Sequence, residues 1–183
     1  MMINLLFLLL GILLDSISNT LLVTDFSYQS LVLTSFYALN ILFILSHSIS
    51  QKQLWFFGML LALLSEIARP NSYLFSFLII ALIIILLNLF NKTIGESLIT
   101  QVIISSVLIF CFQMISYSLY SIVKAINISF ITFIQIEVIG NLFLNVIVSL
   151  IVIFINSKRI DYLERKDQFK RSKEKVLIIE SED

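Results

Sequence analysis

The chain has 183 residues, of which 59% are hydrophobic and 13% charged, with a formal net charge of zero and a mean hydropathy of +1.03. A soluble domain is about 45–50% apolar and about 25% charged, so this composition excludes an ordinary water-soluble globular protein and indicates no nucleic-acid partner. We expect an all-α integral membrane protein in a lipid bilayer, because no alternating strand pattern favours a barrel and irregular backbone is not tolerated in lipid.

Hydropathy predicts six transmembrane helices separated by short polar turns, since a span needs about 20 mostly apolar residues. No interval between spans is long enough for a soluble domain. Residues 1–157 therefore form one predicted six-helix transmembrane domain, and residues 158–183 form a basic, mixed-charge cytoplasmic tail. The six predicted spans are residues 4–22, 28–46, 54–68, 73–90, 98–122 and 130–155.

The distribution of Lys and Arg predicts that both termini lie in the cytoplasm. Lys52, Lys92 and the tail give the predicted inner side ten Lys and Arg residues, whereas the outer side carries two, Arg69 and Lys124. Loops that are rich in Lys and Arg stay on the cytoplasmic side of a membrane. An even number of spans then puts the N-terminus on the same side as the tail.

The first predicted span contains Asp15, and the third contains Glu66. An ionisable side chain at the bilayer centre costs about 2.5–3.5 kcal/mol on insertion scales, so it usually faces the interior of a helix bundle. Both acids lie about a dozen residues into helices that are predicted to run outward. We therefore expect them at similar depth in the outer half of the membrane, where they could share a polar patch.

The third span carries a stripe of small and charged residues in "FGMLLALLSEIARPN". Gly58, Ala62 and Glu66 are four residues apart and lie on one helix face, and Arg69 follows one turn later. Small residues at this spacing let another helix approach closely, and Arg69 can neutralise Glu66. Pro70 ends the helix. The stripe predicts a packing seam, either with another helix of this chain or with a partner.

The sixth span contains Asn141 and Asn145, one turn apart on one helix face. An asparagine inside a membrane more often links helices by hydrogen bonds than it binds a ligand, and each contact is worth about 0.6–2 kcal/mol. We therefore interpret these two residues as a second contact face.

The tail sequence predicts an amphipathic helix with Ile160, Leu163 and Phe169 facing inward. Basic segments next to a membrane attract anionic lipid, with about 1 kcal/mol per Lys or Arg near the surface. Interleaved acids such as Asp161 and Glu164 dilute that attraction, so a tail that only fixes the topology is the simpler interpretation.

Residues with catalytic or metal-binding chemistry are scarce. Cys111 is the only cysteine and His47 the only histidine, which excludes an intrachain disulfide and leaves no zinc or iron ligand set. The stretch "SEIAR" superficially resembles the glutamate–arginine motif of CAAX-type intramembrane proteases, but those enzymes need paired glutamates with His and Asn. His47 is predicted on the opposite side of the membrane from Glu66. We expect no enzyme activity, no cofactor and no metal.

Several of these residues together resemble a known family, the rod shape-determining protein MreD. That family has a Gly-xxx-Gly-xxx-Asp pattern in an early helix, which corresponds here to Gly58, Ala62 and Glu66. It also has a helix-breaking residue five positions before an Asn in the last span, which matches Gly140 and Asn145. The acid in the first helix, at residue 15, and the short charged tail are similar too. The resemblance covers about residues 1–160.

The resemblance implies a non-enzymatic scaffold in the bacterial cytoplasmic membrane, within the complex that elongates the cell wall. Its partners would be MreC, MreB filaments and the peptidoglycan synthases, and it would act through helix–helix contacts. MreD is also similar in fold to the substrate-binding subunits of energy-coupling-factor vitamin transporters, so fold alone does not separate the two. A transport subunit with an outer pocket that includes Asp15, Glu66, Arg69 and Asn145 is the second hypothesis.

Overall fold

A computed structural model describes residues 2–21, 33–68, 74–90 and 97–180, and every regular element in these ranges is helical. The last helix, α6, covers residues 130–180 and begins with α-helix at Phe130–Phe133, continues as π-helix at Ile134–Val138 and returns to α-helix at Ile139–Glu180. The prediction of an all-α protein is confirmed over the described ranges. The other helices are α1 (Met2–Leu21), α2 (Tyr37–Ser46), α3 (Gln51–Ala68), α4 (Phe75–Phe90) and α5 (Leu98–Ile122).

Three helical segments are long and apolar enough to cross a membrane: Met2–Leu21, Leu98–Ile122 and Phe130–Lys166. Tyr37–Ser46 and Phe75–Leu89 are shorter apolar helices. Many large apolar side chains on the long helices are exposed. Lipid is the solvent in which such a surface is stable, so these segments indicate membrane association.

Consecutive helices pack as antiparallel pairs, α1 with α2, α3 with α4, and α5 with α6. The short helix α2 lies at the centre of this arrangement and touches all the other helices. Every residue from Ala38 to Ser46 is buried. The core therefore forms around a ten-residue helix that is covered on all sides by longer ones.

The second helix differs from its prediction. A helix was predicted from residue 28, but α2 begins at Tyr37, and residues 33–36 before it are not helical. Residues 22–32 lie outside the described ranges. Ten residues rise only about 15 Å along a helix, which is about half of the hydrocarbon thickness of a bilayer. The prediction of a continuous second helix is therefore wrong over residues 33–36. The first, third, fourth and fifth predicted spans agree with α1, α3, α4 and α5 to within three residues.

The last helix also runs further than predicted, since its α-helical part continues from Ile139 to Glu180 without a break at residue 155. The tail is thus helical, as predicted, but the inward direction of Ile160 is wrong because that side chain is 41% exposed. Leu163 is half-buried. The side chain of Phe169 lies outside the described part of the structure. Lys, Arg and Glu are good helix formers, which explains why the helix continues into the tail.

Candidate functional site

The extended segment at residues 33–36 is deep in the bundle, where Ser35 is 2% exposed and Phe36 is 9% exposed. The first backbone N–H groups of a helix have no partner within that helix, and a non-helical segment has none either. In lipid, each such group must find a partner inside the protein. The N–H groups of residues 34–38 therefore all need acceptors from elsewhere in the chain.

Helix α1 supplies three of these five acceptor oxygens, from two side chains. The two carboxylate oxygens of Asp15 accept the backbone N–H groups of Tyr37 at 2.6 Å and Ala38 at 2.9 Å. One turn later, Oδ1 of Asn19 accepts the N–H of Ser35 at 2.8 Å and lies 3.1 Å from the Ser35 hydroxyl. A carboxylate at a helix N-terminus is stabilised by the helix dipole, so Asp15 acts as the N-terminal cap of α2.

Helix α6 supplies the remaining acceptors. Oδ1 of Asn141 accepts the N–H of Thr34 at 2.6 Å, and Oδ1 of Asn145 accepts the N–H of Phe36 at 2.9 Å. The amide nitrogen of Asn145 donates to the carbonyl groups of Thr34 at 2.9 Å and Asn141 at 2.8 Å. All five N–H groups from residue 34 to residue 38 thus donate to side-chain oxygens. The four side chains that bind them, which we call the polar clamp, are Asp15, Asn19, Asn141 and Asn145.

A second group of polar side chains continues the polar clamp into the core. Asn40 donates to the carbonyl of Phe36 at 2.8 Å and accepts hydrogen bonds from the hydroxyls of Ser149, at 2.8 Å, and Ser105. The two serine hydroxyls are 2.9 Å apart, and the Ser149 oxygen also lies 2.7 Å from the carbonyl of Asn145, so its single proton is shared between Asn40 and Asn145. Asn40, Ser105 and Ser149 are each at most 2% exposed. This group joins α2, α5 and α6 through one buried network.

The stripe on α3 packs against the next helix of the same chain. A Cβ atom at Gly58 would collide with the side chain of Ile84 and lie 3.2 Å from Cγ2 of Ile80, both on α4. Ala62 is fully buried. One oxygen of Glu66 accepts the backbone N–H of Ser76 at 2.7 Å. The seam thus lies within the chain at Gly58, and Glu66 binds the first turn of α4.

The predicted site residues fall into two separate roles. Asp15, Asn141 and Asn145 meet at the start of α2, although sequence reasoning assigned them to unrelated faces. Glu66 instead caps α4, so each of the two acids in the predicted outer patch binds the start of a different helix. Arg69 lies outside the described residues, and its pairing with Glu66 stays a prediction.

Sequence reasoning missed four polar residues that complete these networks. A usable signal was the spacing of Asn141, Asn145 and Ser149, which recurs every four residues and defines one face of α6. The missed residues are Asn19, Asn40, Ser105 and Ser149.

The arrangement provides hydrogen-bond acceptors for backbone N–H groups, and the described residues form no reactive constellation. Within the described ranges, no group of three or more His, Cys, Asp and Glu side chains could hold a metal ion. His47 precedes α3, and its ring packs edge-on against Phe43 at 5.1 Å. Glu66 lies near the other end of that helix, about 22 Å along its axis from Gln51. These positions do not bring a base, a nucleophile and an acid together.

Comparisons with known protein families, with curated proteins and with solved structures give no match. The function is therefore argued from the chain's own residues and their contacts.

Proposed function

We propose that this protein is a non-enzymatic scaffold of the bacterial cell-wall elongation complex and resides in the cytoplasmic membrane. The proposal takes all six helices as spans, with both termini in the cytoplasm and with the extended segment and α2 together forming the second crossing. Its partners would be MreC, MreB and the peptidoglycan synthases, as the resemblance to MreD implies. The fold would be similar to that of the vitamin-transporter substrate subunits.

One observation supports a scaffold more than a binding subunit: the polar side chains inside the bundle bind the chain's own backbone. Asp15 and Asn145 hold the start of α2, and Glu66 holds the start of α4. Three of the four residues that the transporter hypothesis assigns to a pocket are therefore engaged in internal contacts. A bundle that uses its polar groups in this way is suited to present a rigid surface to other helices.

The vitamin-transporter hypothesis is the second candidate, and the buried non-helical segment at residues 33–36 before α2 favours it. Transporters often bind anionic groups at the N-termini of broken helices near the membrane midplane. Here that position is occupied by the carboxylate of Asp15, which binds Tyr37 and Ala38. An anionic substrate would have to displace this carboxylate or approach it closely, and like charges repel at such distances.

The internal seam changes the expected location of partner contacts. Because Gly58 packs against α4 and Ala62 is fully buried, a partner helix such as that of MreC would bind on an exposed face instead. Exposed side chains are available on α3 at Leu63, on α4 at Leu82 and on α6 at Phe143. Photo-cross-linking residues at these three positions would identify the face that contacts MreC, with buried Phe57 as the matched negative position.

Depletion of the protein in its rod-shaped host tests the proposal directly. We expect the cells to become round while uptake of vitamins stays normal, and tagged protein to co-purify with MreC. Cells that keep their shape but lose uptake of a vitamin would refute the scaffold and support the transport subunit. The neighbouring reading frames give a rapid additional test, since an actin-like protein and a single-span coiled-coil protein encoded just upstream would favour the scaffold.

A further inference from the structure

A layer of side-chain amides lies between α5 and α6, about 12 Å along the helices from the hydroxyl pair of Ser105 and Ser149. Buried residues recur every four positions on both helices, at 105, 109 and 113 on α5 and at 141, 145 and 149 on α6. Because the helices are antiparallel and Ser105 meets Ser149, equal steps in opposite directions bring Gln113 level with Asn141. The layer lies towards the end of the bundle where α5 ends and α6 begins, which is the outer end in the predicted topology.

The amides of this layer are buried without complete hydrogen bonding. Gln113 is 2% exposed, and neither its Nε2 nor its Oε1 atom has a hydrogen-bond partner among the described residues. Asn141 is fully buried, and its Oδ1 accepts the N–H of Thr34, but its Nδ2 has no partner in the same ranges. A buried polar group without a partner destabilises the state that contains it, and contact with water removes that cost. The layer therefore favours a second state in which water reaches it.

Aromatic contacts close the outer side of the layer. Tyr117, one turn after Gln113, stacks on Phe133 with ring centroids 4.4 Å apart, and its ring centroid is 5.7 Å from that of Phe130. The Tyr117 hydroxyl donates to the carbonyl of Ile128 at 3.1 Å. These contacts join α5 to the first turn of α6, so they separate the amide layer from the outer end of the bundle.

A π-helix at Ile134–Val138 lies between the aromatic contacts and Asn141 on α6. π-Helical turns are rare, and they are among the few identifiable places at which a helix kinks. The part of α6 after this turn is held by the polar clamp through Asn141 and Asn145. The four α-helical residues before it, Phe130–Phe133, can therefore pivot at the π-helix while the polar clamp stays intact.

We propose that residues 130–138 form a hinged gate over the layer of Gln113 and Asn141, and that opening of the gate at the π-helix admits water to the layer. In the closed state, which is the one described, the stack of Tyr117 on Phe133 keeps the layer dry. In the open state the two rings separate and water binds the amide atoms that lack partners.

Two opposing contributions set the balance between the closed and open states. The ring contacts favour the closed state, and the dry amides destabilise it by a comparable amount. A small change at either place should therefore shift the populations measurably. The gate would be the same in a scaffold and in a transport subunit, because it depends only on contacts between α5 and α6.

Hydrogen–deuterium exchange of the full-length protein in nanodiscs tests the gate, because opening breaks backbone hydrogen bonds of the π-helix. Gln113→Leu removes the unpartnered amide from the closed state and the hydrated amide from the open state. We therefore expect exchange at residues 134–138 to slow about tenfold and exchange at residues 145–149 to stay unchanged. Gln101→Leu is the matched control, since it makes the same change at a partly exposed position of α5, about 18 Å along the helix, and should alter neither segment.

A variant of the aromatic contacts should act in the opposite direction, and it keeps the test informative if Gln113→Leu fails to fold. Phe133→Leu keeps an apolar side chain but removes the stack on Tyr117, so exchange at residues 134–138 should become about threefold faster. Phe143→Leu, at an exposed position of the same helix, should leave that exchange unchanged.

Three results would overturn the gate. Unchanged or faster exchange at residues 134–138 in Gln113→Leu would show that the amide is neutral or that it stabilises the closed bundle. An equal slowing at residues 145–149 would show a general gain in stability without a local opening. Exchange in Phe133→Leu no faster than in Phe143→Leu would show that the stack does not hold α6 closed.

Discussion

The first two helix pairs use the same combination of residues in different surroundings. In α1–α2, Gly11 lets the helices approach and Asp15 binds the start of α2. In α3–α4, Gly58 and Glu66 do the same for α4. The pairs differ in what precedes the second helix. A buried extended segment precedes α2, whereas α4 follows Leu74, whose positive φ of 60° turns the chain at the helix start.

The difference shows that the number of polar side chains in a membrane bundle depends on how many backbone groups lack a hydrogen-bond partner within their own helix. An acid in an apolar span serves as an N-terminal cap in both pairs, which requires no metal and no ligand. The extended segment before α2 adds further N–H groups, so it also needs Asn19, Asn141 and Asn145. Polar residues within predicted spans can therefore indicate an interrupted helix nearby.

The largest expected effect is that of a substitution on α6, at Asn145, which should destabilise the α1–α2 pair and leave the α3–α4 pair unchanged. Asn145→Leu leaves the N–H of Phe36 and the carbonyl of Thr34 without partners, at about 1–3 kcal/mol each, so we expect a loss of about 2–6 kcal/mol in stability. Hydrogen exchange in nanodiscs should increase at residues 33–38 and stay unchanged at the start of α4. Phe143→Leu, at an exposed position of the same helix, is the control. Equal exchange in both regions would contradict the assigned contacts.

The two glycines should respond differently to a single methyl group. At Gly11 an added Cβ would lie 3.1 Å from the Cα atom and 3.2 Å from the N atom of Ala38, and backbone moves only with its helix. At Gly58 the three nearest atoms belong to the side chains of Ile84 and Ile80, which can change rotamer. We expect Gly11→Ala to cost about 1–3 kcal/mol and Gly58→Ala less, as measured by thermal unfolding in detergent. The reverse order would show that α2 moves more freely than α4.

Loss of charge at the first acid should have an intermediate effect. Asp15→Asn keeps the size of the side chain but replaces one acceptor with a donor, so either Tyr37 or Ala38 loses its partner. We expect about 1–2 kcal/mol of destabilisation from the lost cap and the lost interaction with the helix dipole. Unfolding in detergent measures the loss, and Asp15→Glu tests whether the carboxylate alone is sufficient.

The smallest effect is expected at the second acid. In Glu66→Gln the amide oxygen can still accept from the N–H of Ser76, so this hydrogen bond is kept and the negative charge near the start of α4 is lost. We expect a loss of about 0.3–1 kcal/mol in the same unfolding assay. Glu66→Leu, which removes the acceptor as well, is the informative companion. If both variants behaved alike, the contact with Ser76 would contribute little.

The presence of the helices was predictable from the sequence, because an apolar segment long enough to span a bilayer can satisfy its backbone hydrogen bonds in lipid only as a helix or in a closed barrel. The bounds of α5 match the prediction at both ends. The interruption before α2 was not predictable in the same way, since residues 33–36 read "LTSF" and contain neither Gly nor Pro. The cause is tertiary: side chains more than 100 positions away accept the backbone N–H groups of Thr34 and Phe36.

The candidate sites were predictable in part. The four-residue spacing of Gly58, Ala62 and Glu66 correctly indicated one helix face, but spacing alone does not identify the surface that covers it. The contact of Arg159 with the ring of Phe7 joins two residues 152 positions apart. In the sequence, Arg159 is one of eight basic residues in the tail and has no distinguishing neighbour.

The hydrogen bonds of the polar clamp also set an order of events during synthesis. Thr34 and Phe36 are made 107 and 109 residues before the asparagines that bind them. At about 5–20 residues per second, the ribosome needs roughly 5–20 s to produce that interval. The extended segment must stay hydrated or associated with the insertion machinery for that time. Chains truncated before residue 141 should accordingly expose this segment to proteases, and arrival of α6 is the step that closes the bundle.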